Sequence, residues 1–167
     1  MRRCRGFTLV EMIVVMVILG ILAATMVPVL RNAVSVYGTT NAVASALDKL
    51  RYASARMAFE IRGLTLLKSA TASAITFTRT DYSPAATDRT ISIAKSGSLL
   101  TLSYDLPSPA MSATLTDQLS SLAFAYYDQD GVTTAVPANV RYVEYSITLT
   151  VNGQPYAETT RVAIRNN

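Results

Sequence analysis

Hydrophobic residues follow one another almost without interruption in the first part of the chain. The run from Met12 to Leu30 has no charged residue, and at about 1.5 Å per helical residue it can cross most of a bilayer core of about 30 Å. Glu11 is the one ionisable side chain of the apolar stretch that begins at Phe7. A carboxylate inside such a stretch is costly, and the nearest basic residue is Arg5. We therefore expect Glu11 to need a counter-charge from outside its own surroundings.

Two interpretations of Glu11 follow from these residues alone. If the chain is cut between Gly6 and Phe7, a new α-amine appears close to Glu11, on this chain or on a neighbouring one, and can neutralise it. The other interpretation is a signal-anchor helix with a stray acid near its cytoplasmic end. The residues themselves do not choose between the two.

Beyond Gly38 the pattern changes from uniform to striped, which predicts that one long helix runs from Phe7 to about Ile61. Pro28 lacks a backbone N–H and should kink or loosen this helix, and Gly63 is a suitable residue to stop it. Charged residues lie on the helix face opposite the apolar stripe, which is expected to be exposed to solvent. Arg56 and Glu60 can pair there at spacing i, i+4. The apolar stripe consists of Val43, Leu47, Leu50, Met57, Ile61 and Leu64.

Residues 65–72 are interpreted as a loop, and strand patterns follow it. The clearest is Tyr142–Val151, where apolar and polar residues alternate, and Asn152-Gly153 predicts a hairpin turn after it. Strands that follow a single long helix predict an antiparallel sheet laid on the apolar stripe. The fold class is therefore α+β, with a helix that is hydrophobic in its first half and amphipathic in its second. The other predicted strands are 74–78, 90–94, 98–104, 122–127 and 159–165.

Composition changes this picture in three ways. The net charge of +4 depends on Arg2, Arg3 and Arg5; without these three of the 15 basic residues, 12 remain against 11 acidic ones, so nucleic acid is not an expected partner. A basic leader before an apolar run is expected to stay in the cytoplasm, with the remainder facing outward. Cys4 is the only cysteine and there is no histidine, so we expect no disulfide, no metal, no cofactor and no enzymatic activity.

The segment Gly6-Phe7-Thr8-Leu9-Val10-Glu11, with the apolar run behind it, resembles the class III signal of type IV prepilins and type II secretion pseudopilins. Gly20 and Pro28 fall where pilin helices commonly carry a glycine and a kinking proline. The fold that the resemblance implies is pilin-like.

The resemblance implies that a prepilin peptidase/N-methyltransferase cuts after Gly6 and methylates Phe7. It implies that Glu11 pairs with the N-terminal amine of a neighbouring subunit during assembly. The partners would be other pilin or pseudopilin subunits and the inner-membrane assembly platform. The chain would be a single-pass protein of the bacterial inner membrane with a periplasmic domain, and would then join a pilus or pseudopilus. The domains would be a leader at 1–6, a transmembrane and filament-core helix at 7–30, an amphipathic helix at 31–64 and a β-sheet domain at 65–167.

The second half of the chain is similar to J-type (GspJ-like) minor pseudopilins and PilW-like minor pilins. The similarity rests on Phe124–Asp128, Gly131, Val140–Val143 and Thr159–Asn166, and on the helix end at Ala55–Arg62. It implies a minor subunit.

Three alternatives stay open at this stage. The sheet domain could contact DNA, a glycan or a secreted substrate through its tyrosines and Arg79, Arg89 and Arg141. Cleavage near Ala24 would instead release a soluble domain. Asp128-Gln129-Asp130-Gly131 resembles a fragment of a calcium loop, but its twelfth position is Asn139 rather than glutamate, and a hairpin turn explains the same residues.

Overall fold

The helix predicted at the N-terminus is present. In the computed structural model, which describes residues 8–80, 88–105 and 109–165, α1 runs without a break over Leu9–Arg62. It continues through Pro28, so the expected kink there stays a prediction. By internal contacts the chain divides into two compact units, Met1–Ala42 and Val43–Asn167.

The strands form two antiparallel sheets rather than one. The larger sheet has the order β1-β2-β3-β4-β5 and the smaller the order β6-β7-β8, and neighbours in both are antiparallel. The α+β fold of one long N-terminal helix on antiparallel sheets is therefore confirmed. The strands are β1 (Leu64–Ala70), β2 (Ala74–Thr80), β3 (Asp88–Ser96), β4 (Leu99–Tyr104), β5 (Met111–Thr116), β6 (Leu119–Tyr127), β7 (Tyr142–Val151) and β8 (Gln154–Ala163), with a short 3-10 turn at Pro137–Asn139.

The prediction of a loop at residues 65–72 is wrong, since most of these residues belong to β1. This strand pairs with β2, but its register shifts between Leu64 and Leu66 and again between Leu67 and Ser69. Each shift breaks the alternation by which a strand is recognised in a sequence, because the side-chain period is two only in regular pairing. β5 is a second strand outside the predicted ones. Met111, Ala113 and Leu115 alternate with polar residues in it, but its first four residues are all exposed.

The hairpin turns agree with the sequence. Asn152 and Gly153 join β7 to β8 with φ angles of 51° and 76°, which is the left-handed conformation that a two-residue hairpin turn requires. Gly97, with a φ of 61°, lies between β3 and β4. These turns fix the register of the strands they join.

The core of the unit Val43–Asn167 lies between the last turns of α1 and the sheets. The predicted stripe is buried at Leu50, Met57, Ile61 and Leu64, whereas Val43 and Leu47 are only partly buried. The alternation of β7 is confirmed. Its core-facing residues, all buried, are Val143, Tyr145, Ile147, Leu149 and Val151.

Candidate processing and assembly segment

The helix begins at a local cap that includes Glu11. The Thr8 carbonyl accepts the N–H of Met12 at 3.2 Å, which makes Thr8 the residue at the helix start. The Glu11 N–H donates to Thr8 Oγ1 at 3.3 Å, and the Thr8 N–H donates to Glu11 Oε2 at 3.4 Å. This reciprocal pair is a capping box, in which each side chain satisfies a backbone N–H that the helix leaves unpaired.

Glu11 therefore has a local hydrogen-bond partner that the sequence analysis did not include, and its need for a counter-charge stays a prediction. The Thr-x-x-Glu spacing was visible in the sequence and is the signal that could have revealed the cap. Both contacts are longer than the usual range of about 2.7–3.2 Å, and the partner is a neutral amide. The cap therefore orients the carboxylate without supplying a counter-charge. Gly6 and Phe7, the predicted processing residues, lie outside the described residues.

The apolar part of α1 is exposed along its whole described length. Its large hydrophobic side chains between Leu9 and Leu30 keep between 46% of their surface exposed at Val15 and 77% at Leu9. The helix is long and apolar enough to cross a membrane, with a mean hydropathy of 2.8 in its most apolar window. A helix that is hydrophobic on all sides must be covered by lipid or by other helices. This segment is therefore built to be buried by something outside the chain.

Gly20 and Pro28 have no role that the isolated chain explains. A Cβ at Gly20 would meet nothing within 4 Å, so no intramolecular contact requires a glycine there. Pro28 removes the N–H that would otherwise bond the carbonyl of Ala24. Their roles therefore stay predictions.

The acidic turn after β6 is closed by hydrogen bonds from its backbone N–H groups to the carboxylate of Asp128. Asp128 Oδ1 accepts the N–H of Asp130 at 3.0 Å and that of Val132 at 2.8 Å, and Gly131 takes a φ of 78°. Within the three described ranges, no cluster of three histidine, cysteine or acidic side chains is placed to hold a metal. The turn uses this carboxylate oxygen to close a loop, as the hairpin interpretation expected.

The described tyrosines lie in different surroundings. Tyr126 and Tyr145 are buried, and their hydroxyls donate to the carbonyls of Thr71 at 2.9 Å and Ser54 at 2.7 Å. Burial raises the pKa of both side chains because it disfavours the charged phenolate. Tyr37 and Tyr52, by contrast, are exposed on α1. The buried tyrosines are packing residues that anchor loops and the helix to the sheets.

A second glutamate of α1, Glu60, occupies a position that the sequence did not predict. Its pair with Arg56 is confirmed, at 2.6 Å, but Glu60 is only 2% exposed rather than on a wet face. Glu60 Oε2 also accepts from Arg79 Nη1 of β2 at 2.7 Å, and Oε1 accepts from the hydroxyl of Tyr104 of β4 at 2.7 Å. Burial and the bond to Glu60 raise the pKa of Tyr104, and the bond to Tyr104 raises the pKa of Arg56. Glu60 thus ties the end of α1 to the larger sheet.

A comparison with protein families matches the N-terminal segment. Residues 1–27 match the family described as the prokaryotic N-terminal methylation motif, which covers the leader, the capping box and most of the apolar run. A comparison of the chain with curated proteins gives no significant match. The chain therefore carries the class III signal of a type IV pilin-like precursor, followed by a membrane-anchoring helix.

Proposed function

We propose that this protein is a minor pilin or pseudopilin that is cut after Gly6, methylated at Phe7 and assembled through α1 into a type IV pilus or a type II secretion pseudopilus. The observation that carries the proposal is the methylation motif at residues 1–27, which covers most of the apolar part of α1, where every large apolar side chain from Leu9 to Leu30 is at least 46% exposed. A pilin-like α+β body follows that helix. The minor subtype is supported by the J-type and PilW-like similarity of the second half.

The role of Glu11 follows from its surroundings. Cleavage after Gly6 removes three arginines and leaves the α-amine of Phe7 at the start of an apolar helix. The cap orients the Glu11 carboxylate but leaves its charge uncompensated. In a bundle of apolar helices such a charge is costly, and an amine from a neighbouring subunit removes the cost and sets the axial position of the two helices.

The proposed function implies an order for membrane insertion, processing and assembly. The basic leader holds the N-terminus in the cytoplasm, and residues 7–30 anchor the precursor in the inner membrane. The amphipathic part, 31–64, leads to the periplasmic sheet domain, 65–167. The peptidase/N-methyltransferase acts first, and the assembly platform then moves the helix from lipid into a filament with other subunits.

Two variants of one residue test whether the charge or the cap matters. Glu11→Gln keeps a side chain that completes a capping box but removes the charge, whereas Glu11→Val removes both. We expect both variants to be processed like wild type, and both to enter sheared filaments at least about tenfold less, since losing an ion pair in a water-poor interface costs more than about 1.4 kcal/mol. The measurement is an immunoblot of filament and membrane fractions.

The pair of variants also separates the competing outcomes. If Glu11→Gln assembles like wild type while Glu11→Val does not, the cap is the essential feature and the pairing mechanism is wrong. If neither variant changes incorporation, Glu11 has no part in assembly. Normal processing of both shows that the protein reaches the membrane in the correct orientation.

A further inference from the structure

A basic groove lies beside the end of β8, within the unit Val43–Asn167. Its volume is about 750 Å³. It is lined by the end of α1, the end of β2 and the last residues of β8. We call it the basic groove; the side chains that give it its character are Phe59, Arg62, Arg79, Arg161 and Arg165.

Two of these arginines have ion-pair partners among the described residues and two do not. Arg79 pairs with Glu60 at 2.7 Å, a carboxylate that Arg56 shares, and Arg161 pairs with Glu144 at 2.9 Å. Arg62 and Arg165 form no ion pair with any residue in the described parts of the chain. Each of these two arginines therefore brings to the basic groove a positive charge that no described carboxylate pairs. Because like charges repel in a shared groove, a ligand with two negative charges would be favoured there.

The wall of the basic groove is rigid and partly apolar. The ring of Phe59 is 53% exposed, and the guanidinium carbon of Arg79 lies 4.6 Å from its centroid. Gly63 lets Arg79 lie across the end of α1, since a Cβ at that position would come within 2.7 Å of Arg79 Nε. Held by Glu60, Phe59 and Gly63, Arg79 is fixed before any ligand arrives, and less entropy is lost on binding.

A terminal strand borders the basic groove. β8 is the last strand of the smaller sheet and pairs only with β7, so its other edge is not used within that sheet. Arg161, Val162 and Ala163 of β8 line the groove directly. An unused strand edge offers backbone donors and acceptors to an extended peptide, and this is a common way for proteins to bind peptide segments.

From these features we propose that the basic groove binds an extended acidic segment of a partner protein. The segment would pair along the edge of β8, with two carboxylates on Arg62 and Arg165 and an apolar side chain on Phe59. Two arginines without an ion pair, beside a strand edge and a single exposed ring, suit a peptide better than the long phosphate backbone of a nucleic acid. This inference goes beyond assembly through α1, and it does not depend on cleavage after Gly6.

The test uses the full chain in a nonionic detergent and two fluorescent peptides. One peptide alternates valine with glutamate, and its matched control alternates valine with glutamine. We expect the fluorescence anisotropy of the glutamate peptide to show saturable binding that added salt weakens. The glutamine peptide should bind at least about tenfold more weakly. Equal binding of the two peptides would show that the site does not select carboxylates, and would overturn the proposal.

Arginine variants locate the binding. Arg62→Gln and Arg165→Gln should each weaken binding of the glutamate peptide by about tenfold, because each removes a charge-assisted contact. Arg51→Gln, which changes an exposed arginine of α1 outside the groove, should leave it unchanged. Equal losses in all three variants would indicate nonspecific attraction to a basic protein and would contradict the groove.

Charge reversal and competition give independent checks. The double variant Arg62→Glu with Arg165→Glu should lose the glutamate peptide and bind a valine–lysine peptide instead. If the double variant binds neither peptide but melts at the wild-type temperature, the two arginines do not form the proposed pair of contacts. Stronger displacement of the peptide by an oligonucleotide or by anionic vesicles would assign the groove to a phosphate ligand and overturn the proposal of a peptide.

Discussion

Glu11 and Glu60 lie on the same helix but in different units of the chain, and their surroundings are opposite. Glu11 is exposed, and among the described residues its carboxylate accepts one hydrogen bond, from the backbone N–H of Thr8 at 3.4 Å. Glu60 is 2% exposed, and two arginines and a tyrosine hold it at 2.6 to 2.7 Å. Within the described residues, Glu60 therefore has charged partners, whereas Glu11 has a neutral one.

The apolar residues around the two glutamates show the same difference. Near Glu60 the helix buries Met57 and Ile61 completely against the sheets. Near Glu11 the large apolar side chains are all at least 46% exposed up to Leu30. Burying one such side chain is favourable by about 1.5–3 kcal/mol of free energy, so contact with lipid or with other helices would strongly stabilise the first part of α1. The part of α1 near Glu60 is already packed against the sheets and therefore contributes to folding.

The largest effect that we expect on folding comes from Glu60→Ala. It should lower the free energy of unfolding by about 2–3 kcal/mol, because Arg56, Arg79 and Tyr104 lose their shared acceptor. This is less than the loss for a fully buried pair, since Arg56 and Arg79 keep 39% and 21% of their side-chain surface exposed and can be rehydrated. Denaturant unfolding of the full chain in detergent, followed by circular dichroism of the sheets, measures it.

Glu11→Ala is the matched control for that variant. It should leave the unfolding of the sheets within about 0.5 kcal/mol of wild type, because the contacts of Glu11 with described residues are those with Thr8 at the start of the helix. If the two alanine variants destabilise the sheets equally, the contrast between the two glutamates is wrong.

A smaller effect is expected from Gly63→Ala. The new Cβ would lie 2.7 Å from Arg79 Nε and would displace a guanidinium that Glu60 and Phe59 hold in place. We expect a loss of about 1–2 kcal/mol in the same unfolding measurement, as for other overpacked sites.

Gly38→Ala is the natural comparison, since a Cβ at Gly38 meets nothing within 4 Å. Alanine is a better helix former than glycine, so this variant should be neutral or more stable by up to about 1 kcal/mol. A stability loss at Gly38 as large as that at Gly63 would show that helix propensity, rather than the contact with Arg79, determines the outcome.

The sequence predicts most of the features that depend on nearby residues. The alternation of Tyr142–Val151, the turn at Asn152-Gly153 and the end of α1 at Arg62 are all local patterns, and the structure confirms each of them. Gly63 stops the helix as expected, but not as a left-handed cap. It is not among the described glycines with positive φ, and the side chain of Arg79 lies against it instead.

What could not be predicted depends on residues far apart in the chain. Glu60 was expected on a wet face because its burial requires Arg79 and Tyr104, which lie 19 and 44 residues later. β1 was missed because two register shifts break its alternation. For the N-terminal site, a resemblance identified the class III signal, and the match at residues 1–27 supports it. The capping box of Thr8 and Glu11 was not predicted, although the Thr-x-x-Glu spacing that indicates it is present in the sequence.

The most direct test of the proposed function is the N-terminal sequence and intact mass of the mature protein purified from its own host. We predict a chain that begins at N-methylated Phe7, so that Glu11 lies beside a new amine at the start of an apolar helix. A chain that begins near Thr25, or one that still carries Met1, would contradict the account. A chain that begins near Thr25 would make the sheets part of a secreted domain. A chain that still carries Met1 would leave α1 as a simple membrane anchor.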